Sequence, residues 1–561
     1  MKRYKIYCNE GLKVTRIVMM IFTFKFILMS QINQYCLGIK TTGKPNNFYN
    51  STIEVINNKN VSLINDDICI NRKGEYNGQE HYNIAKSIFN FTNLLYETLS
   101  SPLPNDINVS ESKNMIFSPY SIHSAMGILL LGCKNTTAKE ILDNAFPDTG
   151  KKVHQRLNSM LNRFTVGNRY FNLQHVTLTQ ANRLYVMKEY NLIQKFINKL
   201  KECYLASSTK IDFGNEEAAR NEINQWVENV TKDKIKQLIA PGILSNDTHL
   251  VLVNAIYFHG MWEHPFNKNN ITPEEFTTYK ASNQILGGNV TGNCSGEDCA
   301  ASQPVIPLVL VNMMHQTEYF EICNLKNMQM DARALQMEYI GGKLSMVIIL
   351  PNKKNGLDEV QANFKHFNFL NCFTSYGARK NKREVILSIP KFIIESEFEL
   401  NEPLKRMGVK DVFDQTKADI SGIAGRTSLF VSKVIHKAYI EVNEEGTEAA
   451  AATGVHIVFM SARPEPVSFK CNHPFMYMIV GNDFGTILFA GRVSNPANFT
   501  HETTKPTAST VMSTPHTSKT TTPHQKSKSA VGCKNRFQSY FLALFFLWVE
   551  LQTQTMLLNK Q

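Results

Sequence analysis

The sequence predicts a mixed α+β domain, and three observations carry that expectation. Apolar residues recur at helical spacing in several segments before residue 240, strand-like patterns dominate after residue 300, and between them Leu250 to Phe258 (LVLVNAIYF) is almost unbroken in apolar residues. A strand buried on both faces requires such a run. Helices followed by strands within one span of about 400 residues favour one α+β domain over a βαβ repeat. The hydrophobic fraction of 43% suffices for a sizeable core.

The elements follow in order. From His81 to Leu99, Ile84, Ile88, Phe91, Leu94, Leu95 and Leu99 mark one helical face. Asn114 to Phe117 is a short strand; Ser118-Pro119 then supplies an N-cap and a first-turn proline for a helix to about Leu131. Thr137 and Glu140 stand at capping-box spacing at the start of another helix. Helical patterns recur near 151–163 and 190–201, Val176 to Val186 alternates like a strand, and Glu216 to Ile239 is amphipathic, with Ile223, Trp226, Val227, Val230 and Ile235 on its apolar side. Asn254, inside the apolar run, would be a buried amide that needs partners. Later strands are expected at Val309–Met314, Met330–Tyr339, Ser345–Leu350, Glu384–Ile394, Ser432–Asn443, Val467–Lys470, Phe475–Val480 and Thr486–Val493, with helices at Leu357–Phe364 and Leu400–Met407.

The flanks differ in character. Residues 1–38 carry Lys2, Arg3, Lys5, Lys13 and Arg16 ahead of the apolar run Ile17 to Met29, the pattern of a signal peptide, against which a short membrane anchor is the competing reading. Residues 39–80 read as a weakly ordered extension, 81–495 as the folded domain, and 281–304, rich in glycine and serine, as an inserted surface loop. Residues 496–537 are Ser/Thr/Pro-rich and read as a disordered stalk. The tail 538–561 holds Tyr540 to Val549 (YFLALFFLWV), too short to span a bilayer; it faintly matches a removable lipid-anchor signal, which would attach the chain to a membrane, but its polar end argues against that.

Eleven Asn-x-Ser/Thr sites, at Asn50, Asn60, Asn90, Asn108, Asn135, Asn229, Asn246, Asn270, Asn289, Asn293 and Asn498, agree with a secreted, extracellular glycoprotein. Of eleven cysteines, Cys8, Cys36 and Cys533 lie in the flanks and the other eight are spread too sparsely for a disulfide scaffold. Cys294 and Cys299 alone suit a small disulfide loop, since nothing nearby completes a metal site. The net charge of +12 is scattered along the chain, which suits solubility and at most a weak polyanion contact, not a nucleic-acid reader. No nucleophile-base motif, metal-ligand set or phosphate loop is present, so enzyme, metal and cofactor readings are excluded.

The stretch Glu444 to Ser461 is alanine-rich and almost without bulk in its first half. Propensity alone would allow a short helix. Its alternation instead suits an extended segment able to slip between two formed strands, because small side chains at every second position avoid overpacking.

Over about residues 81–495 the chain resembles the serpins. The likeness rests on ordered motifs: Asn114-Met-Ile-Phe-Ser-Pro-Tyr-Ser-Ile122, Leu250 to Phe266 with its Gly-x-Trp-x-x-Pro-Phe, Pro390-Lys-Phe392 with Met407-Gly408, Glu445-Gly-Thr-Glu-Ala-Ala450, His473-Pro-Phe475 and Phe489-Ala-Gly-Arg-Val493. The resemblance implies three β-sheets, about eight or nine helices, a metastable monomer, an exposed reactive-centre loop, and suicide inhibition of an extracellular serine protease held as a covalent complex. It makes Glu445, Gly446, Thr447, Glu448, Ala449, Ala450, Ala451 and Ala452 the hinge. It makes Ser118, Ser121, Asn254 and His436 the cluster that gates sheet opening, and Trp262, Lys391 and Glu444 the place where insertion begins. Lys139, Lys151 and Lys152 lie where some relatives bind heparin, though a solvated helix face is the favoured reading.

The spacing that the resemblance implies, counted from Gly446, puts the reactive bond at Met460-Ser461. An unbranched apolar residue suits elastase- or chymotrypsin-like pockets and would leave the aspartate of a trypsin-like pocket unpaired. Phe459-Met460, for chymotrypsin-like enzymes, and Arg463-Pro464, for trypsin-like ones, are the rivals, the second hindered by the proline ring after the cut. The competing functions are a non-inhibitory carrier and a cell-surface protein displayed on its stalk. A charge, proline or bulky side chain at Thr447 or Ala449 to Ala452 would favour the carrier, and none is there.

Overall fold

The computed structural model describes residues 78–101, 113–147, 149, 152–164, 175–279, 307–373, 382–425, 428–445 and 465–497. Strands and helices are numbered here in chain order. One sheet has five strands in the order β10 (Phe392–Glu399), β11 (Lys433–Val442), β4 (Leu250–Gly260), β2 (Val176–Met187) and β3 (Ser207–Ile211). Along β4 every residue except His259 is buried. Its alternation explains the apolar run: Leu250, Leu252, Ile256 and Phe258 enter the main core, whereas Val251, Val253 and Tyr257 pack with Ile223 and Val227 of a helix on the other face.

The remaining strands join in a nine-stranded assembly. β1 (Met115–Phe117), β14 (Thr486–Val493), β13 (Phe475–Gly481), β8 (Leu344–Pro351) and β7 (Ala332–Glu338) follow one another, and β7 pairs with the last residues of the long β6 (Leu308–Asn324). The first half of β6 pairs instead with β5 (Ile271–Thr277), and β9 (Lys382–Pro390) runs beside its middle with β12 (Val467–Lys470) outside it. Two sheets thus share β6, and with the five-stranded sheet they make three.

Among the described residues are ten α-helices. The larger ones are α1 (Gly78–Ser100), α2 (Pro119–Gly132), α3 (Asn135–Ala145), α4 (Val153–Phe164), α5 (Gln194–Tyr204) and α6 (Glu216–Val230). α2 is buried on every side, and the Ser118 hydroxyl caps it by accepting from the Ser121 N–H at 3.1 Å. No helix among the described residues is long and apolar enough to cross a membrane.

Several expectations are corrected. The helix expected over Glu216–Ile239 stops at Val230, because Lys232, Asp233 and Gln237 take left-handed backbone conformations that end regular winding. Thr137 and Glu140 form no capping box: Thr137 Oγ1 accepts from the Asp419 N–H, and Glu140 accepts from the N–H groups of Lys410 and Asp411. The strand expected over Glu384–Ile394 is two strands, β9 and β10, that belong to different sheets and part at Lys391. Cysteines are not merely scattered: Cys323 at the end of β6 is bonded to Cys372, and Cys203 is also in a disulfide. Sequence spacing misses the first bridge because 49 positions separate its ends. The Cys294 and Cys299 loop lies outside the described residues.

Candidate functional site

β4 and β11 lie side by side and parallel, paired from Lys433 opposite Val251 to Ile440 opposite Phe258. Their outer neighbours, β2 on β4 and β10 on β11, are antiparallel. The chain leaves β11 at Val442, is followed to Glu445 at the end of this seam, and next enters a strand, β12, at Val467. A segment folding back from that end would run antiparallel to both strands, replacing one parallel ladder with two antiparallel ones. Parallel pairing is slightly the weaker of the two.

At mid-seam the structure brings Ser118, Ser121, Asn254 and His436 together, all fully buried. His436 faces Asn254 across the seam, and Asn254 faces Asn182 of β2. The Ser118 N–H donates to His436 Nε2 at 3.1 Å, so this nitrogen accepts; Nδ1 therefore carries the proton and donates to Asn254 Oδ1 at 2.5 Å. The Asn254 amide nitrogen donates to Ser121 Oγ at 2.6 Å and Ser121 O at 3.2 Å, and to Asn182 Oδ1. Ser118 Oγ donates to the Leu488 carbonyl at 2.6 Å, tying the cluster to β14. Burial holds the His436 imidazole down to about 3, against the opposing pull of its bond to Asn254. Protonation at Nε2 would set N–H against N–H, so the neutral ring is the form that closes the seam.

At the top of the seam, Trp262 Nε1 donates to the Asn443 carbonyl at 3.0 Å while its ring stacks on Tyr339 at 4.5 Å. Lys391 pairs with Glu444 at 2.6 Å. Burial alone would raise the Glu444 carboxyl, but the hydrogen bond and charge of Lys391, with help from Lys268, hold it below its usual range. Phe266 N–H donates to the Glu444 carbonyl at 2.9 Å, and Lys268 pairs with Glu445. Trp262, Lys391, Glu444 and Glu445 therefore share one place. Gly446 to Ala452, Met460 and Ser461 lie outside the described residues.

Sequence reasoning missed several partners. Asn182 and Gln180 of β2 complete the polar cluster, with Gln180 Nε2 donating to Ser121 Oγ at 2.9 Å. Lys437 is buried, pairs with Glu395 at 2.7 Å and Glu397 at 3.4 Å, and donates to the Lys236 carbonyl at 3.0 Å, fastening the segment after α6 to β11. Only a lysine inside an otherwise apolar strand pattern hinted at it. Of the lysines weighed for heparin, Lys152 pairs with Glu80 at 2.9 Å, and Lys151 lies outside the described residues. No group of three or more histidine, cysteine or acidic residues among the described residues could hold a metal ion.

Two parallel strands are thus joined at mid-seam by a buried polar cluster, with an ion pair and a tryptophan at the end where the chain leaves β11. The family model described as Serpin (serine protease inhibitor) matches residues 94–285 and 307–496. The chain is 37% identical to leukocyte elastase inhibitor A of Rattus norvegicus over 74% of its own length and 100% of the relative's. It is 35% identical to human serpin B4, covering 69% and 95% of the two chains. The solved structure of Serpin48, a highly specific serpin of the insect Tenebrio molitor, matches with a TM-score of 0.59 at 29% identity, covering 75% of this chain and 100% of that one. Human thyroxine-binding globulin complexed with its ligand matches with a TM-score of 0.59 at 27% identity, over 74% and 99%. The chain belongs to the serpins.

Proposed function

We propose that this protein is a secreted inhibitor of an elastase- or chymotrypsin-like serine protease that traps its target as a covalent complex. The parallel β4–β11 seam, at whose end the chain passes through Glu444 and Glu445, is the observation that carries the reading. A protease serine attacks the Met460 carbonyl and forms an acyl-enzyme. Cleavage between Met460 and Ser461 frees the upstream segment to enter the seam as a strand, the strand-addition mode for which serpins are a standard illustration. Eight paired positions along the seam, each gaining about one hydrogen bond worth about 1 kcal/mol, release about 8 kcal/mol. The attached protease is carried along and distorted before water completes hydrolysis.

In this mechanism Ser118, Ser121, Asn254 and His436 resist opening until the loop arrives, and Trp262, Lys391 and Glu444 hold the entrance. Their roles rest on where they sit relative to the seam. The fold is shared with a thyroxine carrier. What separates inhibitor from carrier is the absence of charge, proline or bulk at Thr447 and Ala449 to Ala452. The inhibitor is consumed, not turned over, so it is not an enzyme. Secretion is supported by the basic and apolar leader, by the Asn-x-Ser/Thr sites, and by the Cys323–Cys372 disulfide, which persists in an oxidising compartment.

The test is to cut the purified protein in its loop with a limiting amount of a protease that it does not trap, and to compare unfolding temperatures. Insertion raises the midpoint of the cut form well above that of the intact form. An unchanged or lower midpoint contradicts the mechanism.

A further inference from the structure

Five Asn-x-Thr tripeptides fall among the described residues, at Asn90, Asn135, Asn229, Asn246 and Asn270. In four of them the threonine is buried and already engaged. Thr92 Oγ1 donates to the Ile88 carbonyl at 2.6 Å, and Thr231 Oγ1 to the Val227 carbonyl at 2.8 Å. Thr137 Oγ1 accepts from the Asp419 N–H at 3.0 Å, and Thr248 Oγ1 from the Ser245 N–H at 2.9 Å. The Asn135 amide, besides, donates to Asp419 at 2.6 Å. At Asn270 the threonine is engaged as well, Thr272 Oγ1 lying 2.9 Å from His315 Nε2, but there both the asparagine and Thr272 are exposed, and exposure is what sets this site apart.

Asn270 ends the turn Lys268–Asn270 and leads directly into β5. The turn and the residues just before it hold the entrance of the seam, Lys268 pairing with the Glu445 carboxylate and the Phe266 N–H donating to the Glu444 carbonyl. β5 has one strand partner among the described residues, β6; on its other edge the Thr277 N–H is taken by the Asn472 carbonyl at 2.9 Å, which leaves that edge from Ile271 to Glu275 without a strand partner among the described residues. Beside it, Leu308 and Leu310 of β6, opposite Thr277 and Glu275, are 53% and 70% exposed. A partly open edge next to exposed leucines invites pairing with a second copy; the Asn472 contact at Thr277, and Pro273 with the adjacent Glu274 and Glu275, blunt it only in part.

We propose that Asn270 carries an N-linked oligosaccharide that shields the edge of β5 and the turn at the seam's entrance. The inference rests on the secretory reading above. The donor is an oligosaccharide on a lipid pyrophosphate. Asn270 Nδ2 forms a bond to the anomeric carbon of the sugar as the bond from that carbon to the pyrophosphate oxygen breaks. The lipid pyrophosphate departs, one amide proton is given up to the transferase, and nothing is oxidised or reduced. A bulky hydrated glycan at the first position of an edge strand hinders edge-to-edge approach sterically.

The full chain, secreted from cultured eukaryotic cells, is digested with a peptide N-glycosidase in heavy-oxygen water and its peptides are weighed. Asn270 is expected as heavy aspartate in the parent and in Thr272→Ser, and unmodified in Thr272→Ala. After mild heating, Asn270→Gln and Thr272→Ala are expected to show a roughly threefold larger oligomer fraction on native gels than the parent, with Thr272→Ser unchanged. Glycans at other sites with a bare Asn270 overturn the proposal while leaving secretion intact. Absence of glycans at every site, with Cys323 and Cys372 as free thiols, overturns the secretory reading and the proposal with it. Glycan-free variants as monomeric as the parent overturn the shielding role.

Discussion

Replacing Asn254 with alanine withdraws the central member of the buried cluster that pins the seam. His436 Nδ1–H loses its acceptor, and Asn182 Oδ1 and the Ser121 carbonyl lose a donor, whereas Ser121 Oγ keeps Gln180. Each buried group left unpaired costs about 1–3 kcal/mol, and water entering the vacated space recovers some of this, so a net loss of about 3 kcal/mol is expected. For a folded unit of about 400 residues the unfolding entropy is about 0.8 kcal/mol per degree, which places the drop in the unfolding midpoint at about 4 °C. Thermal unfolding of parent, Asn254→Ala, His436→Ala and the double variant reads the effect. Because the two residues share a bond, the double variant should lose clearly less than the sum of the two single losses. A midpoint within about 1 °C of the parent, or strict additivity of the pair, would refute the claim that this cluster closes the seam.

Acid should weaken the protein through its buried histidines. Burial holds His436 down to about 3, and His123 and His154 to about 4, against 6.5 for the free side chain. Between those values the unfolded chain binds more protons, so their contribution is fully present above about pH 6.5 and is lost as pH falls towards 3; unfolding midpoints measured from pH 7 to 4 should fall, and a flat profile contradicts the assignment. Lys391→Ala breaks a partly buried ion pair worth about 1 kcal/mol, and hydrogen exchange should quicken at the amides of Phe266 and Val442 while that of β13 stays unchanged. Cys323→Ser opens a closed loop of 49 positions and should lower stability by about 4 kcal/mol on the chain-entropy account, a loss that reducing agent should reproduce in the parent.

Much of the fold was legible because long periodic segments leave little choice. The unbroken apolar run at Leu250 to Phe258 is β4, and Ser118-Pro119 opens α2 as its capping chemistry demands. The polar cluster was legible only through resemblance. Nothing local distinguishes His436 from any buried histidine until register sets it opposite Asn254. Asn182 and Lys437 stayed unseen for the same reason, since their partners lie on neighbouring strands or on the segment after α6. The early end of α6 escaped because Lys232 and Gln237 are not residues that announce a left-handed turn, and aspartate, as at Asp233, takes one only occasionally. The capping spacing at Thr137 and Glu140 misled because tertiary donors, the N–H groups of Asp419, Lys410 and Asp411, took both side chains first.

The most direct test of the central claim is to incubate the protein with an elastase, a chymotrypsin and a trypsin and to look for a complex that survives boiling in SDS. With the elastase or the chymotrypsin the account predicts a covalent complex and a carboxy-terminal fragment beginning at Ser461. It also predicts that Thr447→Arg is cut at the same bond without forming the complex, because a charged side chain at the hinge cannot enter the sheet. Cleavage with no covalent complex from any of the three, or equal trapping by Thr447→Arg, would contradict it.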